Sequence, residues 1–224
     1  MMRDLLPPEP SDDDVISAHV AVPTTRPPDR ALVRLNMISS SDGGTAIAGV
    51  SGGLGNRNDH AVFAALRGRA DAVLVGMTTV VAEHYQPPAG DDLQVLVIAT
   101  GPDISGNPEL FSSGRGTLVL PEDAPPAPPG VVELRVGTGG LVDLRALVAR
   151  FDGQVIVLEG GPRIAGEMLA LGLVDEFFHT VAPMAISGDS ARLAHGPEAD
   201  ATPWQLVHGF CDEAGYLFLR YERS

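Results

Sequence analysis

Three short apolar runs limit what this chain can fold into: Asp71–Gly76 (DAVLVG), Gln94–Thr100 (QVLVIAT) and Gln154–Leu158 (QVIVL). A strand that is apolar at successive positions, rather than alternate ones, is buried on both faces, and that happens in parallel sheets covered by helices. Helical spacing fills the intervals. Ala61–Ala70 carries Val62, Phe63, Ala65 and Leu66 behind an Asn58 or Asp59 cap, and Leu141–Phe151 carries Leu144, Leu147 and Val148 on one face. Arg163–Gly172 reads as a helix with Pro162 in its first turn, and Met77–His84 as a short one. Ala31–Ile38, Thr117–Leu120, Val131–Val136 and Val174–Val181 read as further strands. Pro121–Gly130, with five prolines in ten residues, is a loop. Trp204–Phe210 and Tyr216–Tyr221 flank an acidic turn, Cys211 to Gly215, and form a hairpin. The expected class is α/β, a mostly parallel central sheet flanked by helices with a C-terminal antiparallel hairpin.

Residues 1–29 break this pattern with six prolines and the acidic triplet Asp12 to Asp14. They read as an extended or disordered arm, with Val15-Ile16 and Val20-Ala21-Val22 available to dock on the body or on a partner subunit. Residues 30–224 then form one domain, within the usual size. The net charge of −14 argues against nucleic acid and anionic lipid as partners. All fifteen basic residues are arginines, which excludes a Schiff-base lysine and a Walker-type phosphate loop. The single cysteine, Cys211, excludes an intramolecular disulfide and a Cys-x-x-Cys zinc site, and the six histidines show no metal spacing. No signal segment and no apolar run of the ~18 residues that a membrane span needs is present, so the expected location is cytoplasmic.

Ligands of open α/β sheets bind beyond the C-terminal ends of the strands. That selects Ser39–Gly44, Gly76–Thr79, Thr100–Gly101 and Glu159–Pro162. Gly160-Gly161 either admits a ligand to the backbone, with a helix N-terminus facing a pyrophosphate, or makes a tight turn. Glu159 ends a buried strand and needs a ligand or a donor. Thr78 and Thr79 suit a phosphate or ribose, or cap a helix. Asp42-Gly43 is turn chemistry on its own terms, whereas Asn36, an amide inside an apolar strand, needs partners. Asp59 is either a helix-start acid or a carboxylate that faces a pocket and steers a proton. Gly49-Val50-Ser51-Gly52-Gly53 matches a hydrolase nucleophile elbow in letters, but Gly-Leu-Gly-Asn comes next where a helix is required.

Taken in order, these segments resemble one family. Asn36–Gly44 (NMISSSDGG) is similar to its Asn-x-x-x-Ser-x-Asp-Gly, and Asp59–Arg67 to its Asp-x-x-x-x-x-x-Leu-Arg helix. Ala70–Thr79 (ADAVLVGMTT) resembles its Ala-Asp-Ala-x-x-x-Gly-x-x-Thr, and Glu159-Gly160-Gly161 its Glu-Gly-Gly. Leu173–Glu176 with Ala182-Pro183 is similar to the family's next segment in chain order. The family is the reductase domain of the bacterial riboflavin-pathway deaminase-reductase, with the fold of dihydrofolate reductase. The chain is especially similar to its stand-alone actinobacterial members. The resemblance implies an NADPH-dependent reductase, often a homodimer, that transfers hydride to an aminopyrimidine ribosylamine phosphate. It assigns Gly76, Thr79, Gly160, Gly161 and Pro162 to the cofactor, and the strand-end loops add Thr78, Thr100 and Glu159 as cofactor candidates. Asn36, Ser40, Asp42 and Asp59 are assigned to the nicotinamide and substrate side, with Asp59, Asn36 and Asp42 as the expected catalytic residues. Arg57 and Arg192 are candidates for a substrate phosphate; the sequence ties no arginine to a 2′-phosphate, although Arg115 lies in a plausible loop. Two alternatives stand beside this reading: a pterin or folate substrate held by Asp59, and a non-catalytic NADP(H)-binding protein.

Overall fold

The computed structural model describes residues 12–23, 25–88 and 93–224. In chain order the elements are α1 (Asp12–His19), β1 (Leu32–Ser40), α2 (Arg57–Arg67), β2 (Ala72–Gly76), α3 (Met77–Ala82), β3 (Gln94–Ile98), α4 (Pro108–Ser112) and β4 (Gly116–Leu120). They continue as β5 (Val132–Arg135), α5 (Leu144–Ala149), β6 (Val155–Leu158), α6 (Pro162–Ala170), β7 (Glu176–Ala182), β8 (Trp204–Cys211) and β9 (Leu217–Arg223). All nine strands form one sheet in the order β5-β4-β3-β2-β6-β1-β7-β9-β8. Strands β1 to β7 run parallel, and β9 and then β8 add antiparallel at one edge. This is the α/β class that the uninterrupted apolar runs require.

The core explains the order. On one face Val62 and Leu66 of α2 pack with Val157 and Phe178. On the other, Leu144 and Leu147 of α5 and Ala165 and Met168 of α6 pack on Leu35, Leu74, Ile156 and Leu158. The chain thus leaves β1 on the α2 face and returns on the α5 face, which inserts β6 between β1 and β2. A crevice opens at such a reversal, outside the strand ends.

Two helices depart from the expectations. α2 is capped by Asn56, whose side chain accepts from the Asp59 N–H, so Asp59 sits inside the first turn rather than at the cap. α4, five residues capped by Asn107, is too short to show a helical period.

The N-terminal stretch departs further. Pro7, Pro8 and Pro10 lie outside the described residues, but Asp12–His19 is a helix where the composition suggests an extended arm. The reason lies far away in sequence. Val20 is fully buried, and Ile16 packs in the same cluster as Leu66 and Phe178. The carbonyls of Val20 and Ala21 accept from Arg34 of β1, and that of His19 accepts from Arg220 of β9. Both arginines also hold Glu176 of β7, at 2.7 Å from Arg34 Nε and 2.8 Å from Arg220 Nε. Both stack on Phe178. One buried carboxylate therefore joins three strands, and each guanidinium also donates to carbonyls at the end of α1. Replacing Glu176 by glutamine strands two buried cations, and the expected loss is about 3–5 kcal/mol. Urea unfolding of E176Q against the parent protein measures it.

Candidate active site

The C-terminal ends of β1, β2 and β6 open into a cleft of about 620 Å³ between α2, α3 and segment 45–55. The α2 wall contributes Asp59, His60, Phe63 and Arg67, and the opposite wall Thr78, Thr79, Glu83 and Tyr85. The floor holds Asn36 and Met37 of β1 with Glu159, Gly161 and Pro162 beyond β6.

Asp59 is half-buried in the first turn of α2. Burial pushes its carboxyl up, against a hydrogen bond from Thr180 and the charge of His60. Thr180 comes from β7, buried on the α2 face beside Phe178. A Cβ on Gly55 would stand 2.8 Å from Asp59 Oδ2, so a residue without a side chain leaves that carboxylate its room.

The turn after β6 is built for close approach. Gly160 has φ +92°, the left-handed region that favours glycine, and the Gly160–Gly161 peptide is cis. The Gly160 carbonyl accepts from the Gly76 N–H at 3.0 Å, which ties this turn to the end of β2. A Cβ on Gly161 would meet Thr79 Oγ1 at 2.8 Å. Gly161 is also the N-cap of α6 and offers no side-chain bond, so the first amides of that helix lack a side-chain acceptor at the cap. These features fit a dinucleotide phosphate: open backbone, a helix N-terminus and a hydroxyl on one side.

Glu159 lines the cleft, but Arg67 holds both its oxygens at 2.7 Å, so the donor that this buried acid needs comes from α2. Arg67 in turn lies 4.1 Å over the Phe63 ring and 5.1 Å from that of Tyr85. The pair is a wall of the site rather than a free ligand for a cofactor.

The cleft brings together Asn36, Asp59, Thr78, Thr79, Glu159, Gly161 and Pro162, with Gly76 and Gly160 bonded beneath. Ser40, Asp42, Arg57 and Thr100 do not line it. Asp42 is exposed; its carboxylate accepts from Ser40 Oγ and from the N–H groups of Ile186 and Ser187. These bonds, the Ser40 hydroxyl first, hold the Asp42 carboxyl down at about 2. Asp42 and Ser40 therefore close a turn against segment 186–187. Arg57 is exposed at the start of α2, and Thr100 is exposed beyond β3. Arg115 precedes β4 and so lies at the strands' N-terminal edge, opposite the cleft. Ser51 is in segment 45–55, its N–H donating to Glu83, with no strand–turn–helix around it.

Sequence reasoning missed Thr180 and the partnership of Arg67 with Glu159. Thr180 had one signal: it shares the buried parity of β7 with Glu176 and Phe178, where a hydroxyl needs a partner.

The family model described as RibD C-terminal domain matches residues 31–218. The chain belongs to the RibD C-terminal domain family. A curated relative from Methanothermobacter thermautotrophicus, 2,5-diamino-6-ribosylamino-4(3H)-pyrimidinone 5′-phosphate reductase, is 33% identical over 182 residues, 73% of this chain and 82% of its own. A pyrimidine reductase-like protein from Corynebacterium diphtheriae superposes with TM-score 0.73 at 24% identity, over 87% of this chain and 92% of that one. Dihydrofolate reductase from Enterococcus faecalis, complexed with NADP(H) and RAB-propyl, gives TM-score 0.56 at 18% identity over 86% and 96%. The RibD C-terminal domain fold of this chain is thus dihydrofolate reductase-like, as the motifs imply.

A carboxylate pushed up by burial lowers stability once it ionises. The native state keeps the Asp59 proton to a higher pH than the unfolded chain, so this group's contribution is lost as pH rises through its native pKa. D59N is expected to melt above the parent protein at pH 7 and to lose that advantage near pH 3.5, read by paired thermal melts.

Proposed function

We propose that this protein is an NADPH-dependent pyrimidine reductase that transfers hydride to the ribosyl carbon of an aminopyrimidine ribosylamine 5′-phosphate, a step towards riboflavin. The supporting observation is one cleft that joins Asp59 on the α2 side to the Gly160-Gly161 turn and Thr79 on the other. The relative from Methanothermobacter carries the corresponding activity in its name.

The division of labour matches the walls. The turn at Gly160-Gly161 and the first amides of α6 hold the pyrophosphate, and Thr79, with Thr78, anchors the ribose side. When bound, the nicotinamide supplies the hydride. Asn36 at the floor shapes the space above it. Asp59, steadied by Thr180, orients the amino-substituted ring and holds the proton that the reduced sugar requires. Arg57, exposed at the start of α2 outside the cleft lining, offers charge to the substrate phosphate. NADPH is the proposed donor because Arg163, in the first turn of α6, is exposed and without a carboxylate partner among the described residues. A cation is unfavourable against that end of the helix dipole, and a bound anion offsets the placement. Chemistry of this kind belongs in the cytoplasm. No described helix is long and apolar enough to cross a membrane.

The working unit we propose is a homodimer. On β9, Phe218 and Arg220 face the core, so Leu217, Leu219 and Tyr221 point to the other side, where they are half-buried. Leu206 of β8 is 42% exposed, opposite Tyr221. An edge hairpin with one open face ordinarily makes that face polar. This one is apolar, and a second copy covers it.

Three measurements test these readings. NADPH, with NADH alongside, is titrated in a thermal shift; NADPH at ~100 times its dissociation constant should add about 2.7 kcal/mol, with a smaller effect from NADH. D59N should keep that shift and reduce turnover of the aminopyrimidine by about 10²-fold or more, whereas preferred turnover of dihydrofolate supports the pterin alternative. Light scattering should find a dimer in the parent protein and a monomer in L219E.

A further inference from the structure

The turn of the β8–β9 hairpin reaches the start of α2, far from it in sequence. Asp212 Oδ2 accepts from Asn56 Nδ2 at 2.7 Å and from Asn58 Nδ2 at 3.0 Å. Its other oxygen, Oδ1, accepts from the Tyr216 N–H at 3.0 Å within the turn. Asn56 then uses its own carbonyl oxygen, Oδ1, to accept from the Asp59 N–H at 2.9 Å. A second strut runs beside the first: the Tyr216 hydroxyl donates to the Leu54 carbonyl at 2.9 Å, two residues before the cap. Between the struts lies Gly55, whose missing side chain leaves space for the Asp59 carboxylate.

We infer that Asp212 is a positioning residue for the reaction: through Asn56 it fixes the first turn of α2, and with it the direction in which Asp59 meets the substrate. This role rests on Asp59 being the group that orients the substrate in the proposed reduction. An amide side chain has two ends, and only one orientation of Asn56 serves both neighbours. Its NH₂ must face Asp212 for its oxygen to cap Asp59. The carboxylate of Asp212, which can only accept, selects that orientation. Asn58 binds the same oxygen and blocks a swing of the cap. Burial opposes the charge on Asp212, but the amides of Asn56 and Asn58 and the turn's own N–H groups outweigh it, so the carboxyl stays below its usual range. Asp212 therefore remains an acceptor across the working pH range.

D212N separates positioning from a structural turn. It is isosteric, and its one oxygen keeps the Tyr216 N–H bond, so the hairpin survives. Its NH₂ then confronts the amides of Asn56 and Asn58, donor against donor. The expected result is a kcat lower by about tenfold or more, with the KM for NADPH within about twofold. N56A should reproduce the loss, and the double variant D212N/N56A should be no worse than either single one, the mark of a shared path.

A second readout does not require turnover. The ¹³C carboxyl shift of Asp59 is tracked against pH in the full-length protein and in each variant. The groups facing that carboxylate are Thr180 of β7, His60 of α2 and Tyr216 before β9, whose hydroxyl feels its charge. In D212N the Asp59 titration should move down towards an ordinary carboxylate as its turn loosens. A D212N titration that superimposes on the parent curve, with kcat unchanged, overturns the inference and leaves Asp212 as a turn residue. Should D212N not fold, N56A and N58A remove the same bonds from the α2 side, and unchanged curves in both overturn it equally. A parent protein that binds NADPH yet reduces no aminopyrimidine overturns the reductase reading instead, and the titration then decides the link to Asp59 alone.

Discussion

Strand β6 is the member on which the other elements depend. Its residues are buried on both faces, and it is hydrogen-bonded on both edges, to β1 and to β2. Every apolar side chain in it meets helix or strand, so the hydrophobic gain is near its full value for each. The strand is short, and it leaves no slack at its C-terminal end. Glu159, Gly160 and Gly161 come at once, with α2 on one face and α6 on the other. The site exists because a chain that has moved outward on one side of the sheet must return on the other and slot into the gap.

Charges inside such a frame have to be matched, and the protein does so with arginine throughout. Arg67 bonds both oxygens of Glu159 across the floor of the cleft, and Glu176 is the counter-ion of Arg34 and Arg220 beneath α1. The planar guanidinium suits both places, because it bonds a carboxylate in its plane and offers its face to an aromatic ring: Phe63 in the first case and Phe178 in the second. An ammonium offers a point charge and no face, so lysine would serve neither place as well.

Much of the fold was legible in the sequence for a plain reason. Burial on both faces writes itself as unbroken apolar letters, and the strand-end rule then selects Gly76–Thr79 and Glu159–Pro162, which the structure brings to the cleft. Asp59, which lines the same cleft, stood out by its place at a helix start. That Asp42 and Ser40 bond to each other and to segment 186–187 was not legible, because an aspartate in an Asp-Gly turn shows nothing of its distant partners in its own letters. The Arg67–Glu159 bond spans 92 positions, and nothing local announces it. The same holds for α1: a proline-bearing acidic stretch becomes an ordered helix because arginines from β1 and β9 take up the carbonyls at its end.

Strand β7 carries several of these demands at once. Its alternation is strict, with Glu176, Phe178, Thr180 and Ala182 inward to α1 and α2, and Phe177, His179 and Val181 to the opposite side. The inward set contains the counter-ion of the arginines, the ring under them and the hydroxyl on Asp59. A slip of one residue in its pairing would exchange the two sets completely. Charge balance, the Thr180 contact with Asp59 and the outward apolar face would fail together, from a change that removes no side chain. A residue inserted among its seven would invert the parity of all that follow, so the strand is a single word in which no letter can be inserted.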